Sequence, residues 1–429
     1  MCLGSDAVAV AEVVAACQGV RVAGEVVGGE GVEALSRLGY RPALDGIRAM
    51  AILAVLGYHS GTRLKGGFIG VDIFFVLSGF LITTLLFQEW ATAHAIALGN
   101  FYGRRARRLL PALFLTVAGV GLIYAIDPSL NRGISFGRAA LVVIFYAGNW
   151  VAAFADNPVQ VLALLDHTWS LAIEEQFYIL WPLLLLICLR RRWRPRSVLA
   201  LALSFACASA LLRWLLWHLG SSSHVYFRFD THADGLLLGC ALAAVYASRQ
   251  GRELMRRYLG RWLVALAAAG GLLMVAFTYG PNDRFVYVGG LSAVAICSAV
   301  LIGHVVCAQD SWFSRTLALS PLVWIGSRSY GMYLFHIPIF AVIATTRLSD
   351  RSARLVIPLQ IALTMLAAAA SYRWVESYFL RRNRLKGAPP HVQRAPIVRQ
   401  SESQQSPGDP SPAGSGISTE KITFPMKNR

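Results

Sequence analysis

Charge is what this sequence has least of. Only 15% of its 429 residues are Asp, Glu, Lys or Arg, against about a quarter in soluble domains. Acid is the scarcer sign, with 23 Asp and Glu against 40 Lys and Arg, a net charge of +17. The chain is 56% apolar, with a mean hydropathy of +0.52. A charge deficit spread along its whole length argues against a soluble domain and predicts a polytopic membrane protein. The basic excess does not read as a nucleic-acid surface, so no nucleic-acid partner is expected. Its arginines stand in short clusters between apolar runs, the pattern that orients membrane proteins.

Other absences narrow the chemistry. The seven cysteines (Cys2, Cys17, Cys188, Cys207, Cys240, Cys297, Cys307) show no C-x-x-C spacing. Most lie in apolar runs and are expected to be free buried thiols, not a disulfide frame or a zinc site. No G-x-S-x-G elbow marks a serine nucleophile. The first 40 residues lack a basic n-region and contain Glu12, Glu25, Glu30 and Glu33, so they do not read as a secretory signal. No internal repeat and no second globular domain is visible.

What is present is a series of apolar runs of roughly 17–25 residues, the length that crosses a bilayer. They lie near 44–62, 66–88, 109–126, 171–189, 197–217, 232–248, 261–280, 287–307, 329–346 and 355–375. A further run, "AALVVIFYAGNWVA" at 139–152, is short. Basic clusters stand at Arg104–Arg108, Arg190–Arg196, Arg249–Arg261 and Arg381–Lys386. Counting the short run as a full span strands "RRRWRPR" outside. Counting it as partial places every cluster in the cytoplasm. The predicted fold is therefore all-α, a polytopic integral membrane helix bundle of about ten transmembrane helices plus one partial segment. It is expected in the inner (cytoplasmic) membrane with both termini cytoplasmic. A partial element survives only where protein or a water-filled cavity covers it. Residues 1–40 read as a cytoplasmic N-terminal extension or as the product of a mis-assigned start codon. Residues 41–380 form the membrane domain. Residues 381–429, with "SESQQSPGDPSPAGSG", are expected to be a disordered basic cytoplasmic tail.

Ionisable groups at bilayer depth are costly and count as functional candidates. In "RPALDGIRAMAILAVLGYHSG" ten residues separate Arg48 from His59, about 16 Å along a helix axis. With the N-terminus inside, Arg48 lies near the cytoplasmic leaflet and His59 near the outer one. Asp72, in "GGFIGVDIFFVLSGFLITTLL", reaches a similar depth to His59. The same topology sends "HTWSLAIEEQFYILWPLLLLICLRRR" in from outside, with Glu174 and Glu175 near the outer leaflet. It also puts Arg228, Asp230, His232 and Asp234 of "VYFRFDTHADGLLLG" at an outer mouth. A proton-transfer or acyl-transfer chamber needs such a set: a His as general base and carboxylates to orient it and an acceptor hydroxyl. On the cytoplasmic side, the arginines of "FYGRRARRLLP" suit phosphate. That phosphate could belong to a donor such as an acyl-CoA or to anionic lipid headgroups.

These segments, together with "SYGMYLFHIPIF" and over roughly residues 40–380, resemble the membrane-bound acyltransferase-3 family. The resemblance implies O-acylation of a surface polysaccharide, glycolipid, peptidoglycan or macrolide. It implies that His59 is the essential histidine, that Arg48 belongs to the same motif and that Arg105 and Arg108 form the paired-arginine motif. The "SLxxEEQFY" pattern falls on Ser170 to Tyr178, with Glu174 the acid expected to carry function. "YLxHxP" falls on Tyr333, Leu334, His336 and Pro338. Many relatives have Arg where this chain has His232. Many also carry a C-terminal extracytoplasmic hydrolase-like domain; this sequence resembles the stand-alone members.

Structural readings stand beside these. Glu175 reads as a helix-end charge, because adjacent helix residues point about 100° apart and both cannot face one chamber. "RRARR" also serves as a topology signal. His336, two turns into its span from inside, is at a different depth from His59, where an interhelical hydrogen bond explains it. Ser78 and Gly79 read as close helix packing. The expectation is an O-acyltransferase with no bound cofactor or metal, using acyl-CoA, most simply acetyl-CoA, as donor. Its acceptor is a carbohydrate, glycolipid or glycoside beside the lipid bilayer. The catalytic set is His59, Asp72 and Glu174; the substrate-binding set is Arg48, Arg105, Arg108, Arg228, Asp230 and His336. The rival is a proton-coupled transporter or flippase of a glycoconjugate, which predicts repeated halves with broken helices.

Overall fold

A computed structural model describes residues 38–157, 160–220, 224–346 and 353–379. The tail expected at 381–429, and all but the last three residues of the 1–40 extension, lie outside the described residues.

All ten predicted apolar runs are helical. The principal helices are α1 (Pro42–His59), α2 (Gly70–Ala93), α3 (Leu98–Ile126), α4 (Phe136–Ile144), α5 (Gly148–Ala153), α6 (Trp169–Arg190), α7 (Pro195–His218) and α8 (Asp234–Tyr246). They continue as α9 (Arg249–Leu259), α10 (Trp262–Thr278), α11 (Leu291–Cys307), α12 (Trp312–Leu317), α13 (Ser320–Ser327), α14 (Ser329–Ala344) and α15 (Ala353–Ser371). A helix satisfies its own backbone hydrogen bonds, which is why apolar sequence in lipid adopts it. Among the described residues, six helical segments are long and apolar enough to cross a membrane, or seven if α9 and α10, bent by 75° to each other, make one span. The expected count of ten is reached only by adding α1, whose charged residues lower its hydropathy, and the shorter α8 and α14. The fold is an all-α polytopic membrane bundle.

The packed centre is built on α2 crossing α8, with α7 and α11 beside them. Gly79 faces the backbone of Leu236 and Cys240, and Gly239 faces that of Val76 and Phe80, leaving no room for a Cβ on either. Small residues let two membrane helices approach this closely. The packing reading of Gly79 therefore holds. Along one edge, α13 lies against α1, and α14 packs between α1 and α15.

The short run at 139–152 is two helices of nine and six residues, α4 and α5, broken around Tyr146, whose φ is +51°. The freed backbone is covered by protein. The Gln176 amide of α6 donates to Tyr146 O and to Asn149 Oδ1, each at 2.8 Å, and its Oε1 accepts from Trp150 Nε1 at 3.2 Å. The five described cysteines are free; Cys188 and Cys240 are buried as expected, but Cys207 is exposed.

Candidate active site

Helices α1, α2, α3, α6 and α14 enclose a cavity of about 130 Å³. Val71, Phe74, Phe75 and Ser78 form its α2 wall. They recur at i, i+3, i+4 and i+7, one face of a helix. Helix α6 gives Ser170, Glu174 and Tyr178 at the same kind of spacing, with Glu175 beside them.

One end of the cavity is ionic. Arg105 grips Glu175 through Nε at 2.9 Å and Nη2 at 2.7 Å, and its Nη2 lies 3.8 Å from Glu174. The guanidinium carbon lies over Tyr178, 3.2 Å from the ring centroid, adding a cation–π contact. Glu174 Oε1 accepts from Ser78 Oγ and from Tyr178 OH, the latter at 2.6 Å. Arg48 lines the same end, braced at 2.7 Å by Asp45, which Tyr40 OH also contacts at 2.9 Å. Arg108 completes a lining of three guanidiniums and two carboxylates. The cationic excess suits an anion such as phosphate.

The other end is a hydroxyl link to a histidine cluster. Tyr333 OH and Ser170 Oγ are 2.6 Å apart and share His167 O as acceptor, at 2.7 and 3.3 Å, so one hydroxyl donates to that carbonyl while the other donates to the first hydroxyl. Beyond them stand three imidazoles. The His336 ring is 4.9 Å from His59 and 5.1 Å from His167, centroid to centroid. His167 and His336 are buried, whereas His59, at the end of α1, is exposed. No three His, Cys, Asp or Glu side chains among the described residues are arranged to hold a metal.

Several expected pairings differ. Asp72 does not orient His59; its Oδ1 lies 2.8 Å from His232 Nε2. Glu174 is not beside His59 but in the ionic end, so the acids and Arg105 share one level, not opposite leaflets. A straight span sets this level too far out, because α6 is led in by a 3-10 turn at Ala163–Thr168. Glu175 is no helix-end charge. Both acids line one cavity because Arg105 reaches across the angle between them. His336 meets His59 at one depth, since α14 begins only after the short helices α12 and α13. Arg228 and Asp230 pair with each other at 2.5 Å and are not among the cavity residues. Sequence reasoning missed His167 and gave Ser78 no polar role. The signal for His167 was its place in the polar series His167, Ser170, Glu174, Tyr178, which recurs every three to four residues.

A family model described as an acyltransferase domain, of the acyltransferase-3 type, matches residues 41–373. The chain is 36% identical over 348 residues to the peptidoglycan O-acetyltransferase OatA of Listeria monocytogenes, covering 79% of this chain and 55% of that protein. It is 35% identical over 346 residues to the O-acetyltransferase OatA of Staphylococcus aureus, with 79% and 57% covered. It is 34% identical over 347 residues to the putative peptidoglycan O-acetyltransferase YrhL of Bacillus subtilis, with 79% and 54% covered. The chain thus spans little more than half the length of these relatives. No solved structure matches it.

Proposed function

Because the chain belongs to the acyltransferase-3 family, we propose that it moves an acyl group, acetyl in the first instance, from acyl-CoA to a hydroxyl of a carbohydrate-containing acceptor. Residues 41–380 are the unit that does so, in the cytoplasmic membrane with both termini inside. The observation that carries the reading is a cavity lined by three guanidiniums, whose wall residue Tyr333 hydrogen-bonds to His167 O, with the His59, His167 and His336 rings grouped behind it. The phosphates of the donor sit against Arg48, Arg105 and Arg108. Arg48 and His59 are about 16 Å apart along α1, a length an extended pantetheine arm covers. His59 takes the proton of the acceptor hydroxyl as its oxygen attacks the thioester carbonyl. The C–S bond breaks, and the thiolate leaves with the proton that His59 returns. An acyl-histidine formed first is the other route through the same residue.

The relatives' names make a peptidoglycan-type glycan the first acceptor to try. The test is membranes containing the protein, incubated with radiolabelled acetyl-CoA and muropeptides, glycolipids or oligosaccharides. Label moving to a saccharide is expected. His59→Ala should insert normally and lose transfer by at least ~100-fold. Full activity in that variant, or an acceptor that crosses the bilayer unmodified, overturns the proposal and favours a transporter.

A further inference from the structure

The three imidazoles beyond Tyr333, none of which lines the cavity itself, are all locked in the same manner. A backbone carbonyl only accepts, so the ring nitrogen facing one carries the proton. His59 presents Nδ1–H to Val55 O at 3.0 Å, His336 presents Nδ1–H to Tyr333 O at 2.5 Å, and His167 presents Nε2–H to Leu334 O at 3.1 Å. The opposite nitrogen of each ring is a lone pair. Those on His336 (Nε2) and His167 (Nδ1) are buried without a hydrogen-bond partner, in residues 0% and 5% exposed. Buried acceptors left unmatched are costly, and the cost points to a role. Among the described residues, no carboxylate lies within hydrogen-bonding distance of His59, His167 or His336. The carboxylate expected for His59, Asp72, is engaged by His232.

We infer that His336 is the positioning partner of His59: because Nδ1–H of His59 is held by Val55 O, the neutral Nε2 lone pair of His336 accepts from the Nε2–H that His59 gains during acyl transfer and so stabilises the imidazolium. His167, behind it, holds the ring of His336 in place. This rests on the reading of His59 as general base. As the acceptor oxygen bonds to the thioester carbon, its proton passes to His59 Nε2. The C–S bond breaks with its electron pair on sulfur, and the same proton then returns to the thiolate. Between the two transfers the proton is shared by the His59–His336 pair. A neutral partner suits this depth, because it leaves no buried anion while His59 is uncharged. The titratable groups facing His336 are His59 from α1, His167 from the turn before α6 and Tyr333 from its own helix; Phe340 closes another side.

The test compares pH–rate profiles of the full chain in membranes, with acetyl-CoA as donor. His336→Asn keeps a donor for Tyr333 O and has nothing at the Nε2 position; His336→Gln restores an acceptor there. For His336→Asn the expected result is a kcat lowered at least ~tenfold, with the KM for acetyl-CoA within about twofold. The acid limb of kcat/KM should move down by about one pH unit, because an unsupported imidazolium deprotonates at lower pH. His336→Gln should recover part of the rate and move the limb back. If His336→Asn does not accumulate, His336→Phe takes its place. An unmoved limb, or a raised KM with kcat intact, overturns the inference. His59→Ala run alongside separates the failures. If it stays active, the acyltransfer reading falls; if it is dead while the His336 limb is unmoved, only the His336 inference falls.

Discussion

Arg105 shows how much one side chain decides. It is bidentate to Glu175, 3.8 Å from Glu174 and set over the ring of Tyr178. A lysine there keeps the charge but loses the planar fork. Arg105→Lys should therefore raise the KM for acyl-CoA about tenfold, some 1.4 kcal/mol, with a smaller change in kcat. Steady-state assays over a range of donor concentration check this; an unchanged KM would mean the residue holds the two acids and does not bind the donor. Which residues are polar inside spans was legible, because a His or Glu in apolar sequence stands out. Which of them pair was not. Asp72 chooses His232 over His59, a choice made by where α2 meets the single turn Phe229–His232.

Among the elements, the broken pair α4 and α5 is the least ordinary. Its existence was legible in the length of 139–152 and in the charge count around it. Its cover was not, since Gln176 lies some 30 residues further along the chain. Gln176→Leu leaves Tyr146 O and Asn149 without these bonds, a loss of about 1–3 kcal/mol. Thermal unfolding in detergent should show a lower midpoint, and Gln176→Glu, which sets a carboxylate oxygen against Tyr146 O and Asn149 Oδ1, should fall at least as far. Equal midpoints for wild type and Gln176→Leu would mean the break is held by packing alone. The same logic explains the small residues of the α2–α8 crossing, where Gly79 and Gly239 admit backbone against backbone.

For the whole molecule, orientation is the property that a bundle of helices leaves open. The basic clusters argue that "RRRWRPR" faces the cytoplasm. In a variant whose native cysteines are replaced by serine, Arg192→Cys should react with an impermeant maleimide only when the cytoplasmic face is exposed. Labelling from outside intact cells would invert the topology and make 139–152 a full span. The cavity is also a whole-molecule property. Its walls come from residues as distant in sequence as Arg48 and Tyr333, and no single segment contains it.

By itself the sequence determined that this protein is a helical membrane bundle, where its helices run and which few polar residues they carry. Those follow from local physics, since lipid forbids unpaired backbone and penalises charge wherever it falls. Only the tertiary structure decided the pairings: Arg105 with both acids, Asp72 with His232, His336 between His59 and His167. These depend on helix starts, bends and crossings, and the hydrophobic pattern says nothing of them because one apolar face packs as well as another.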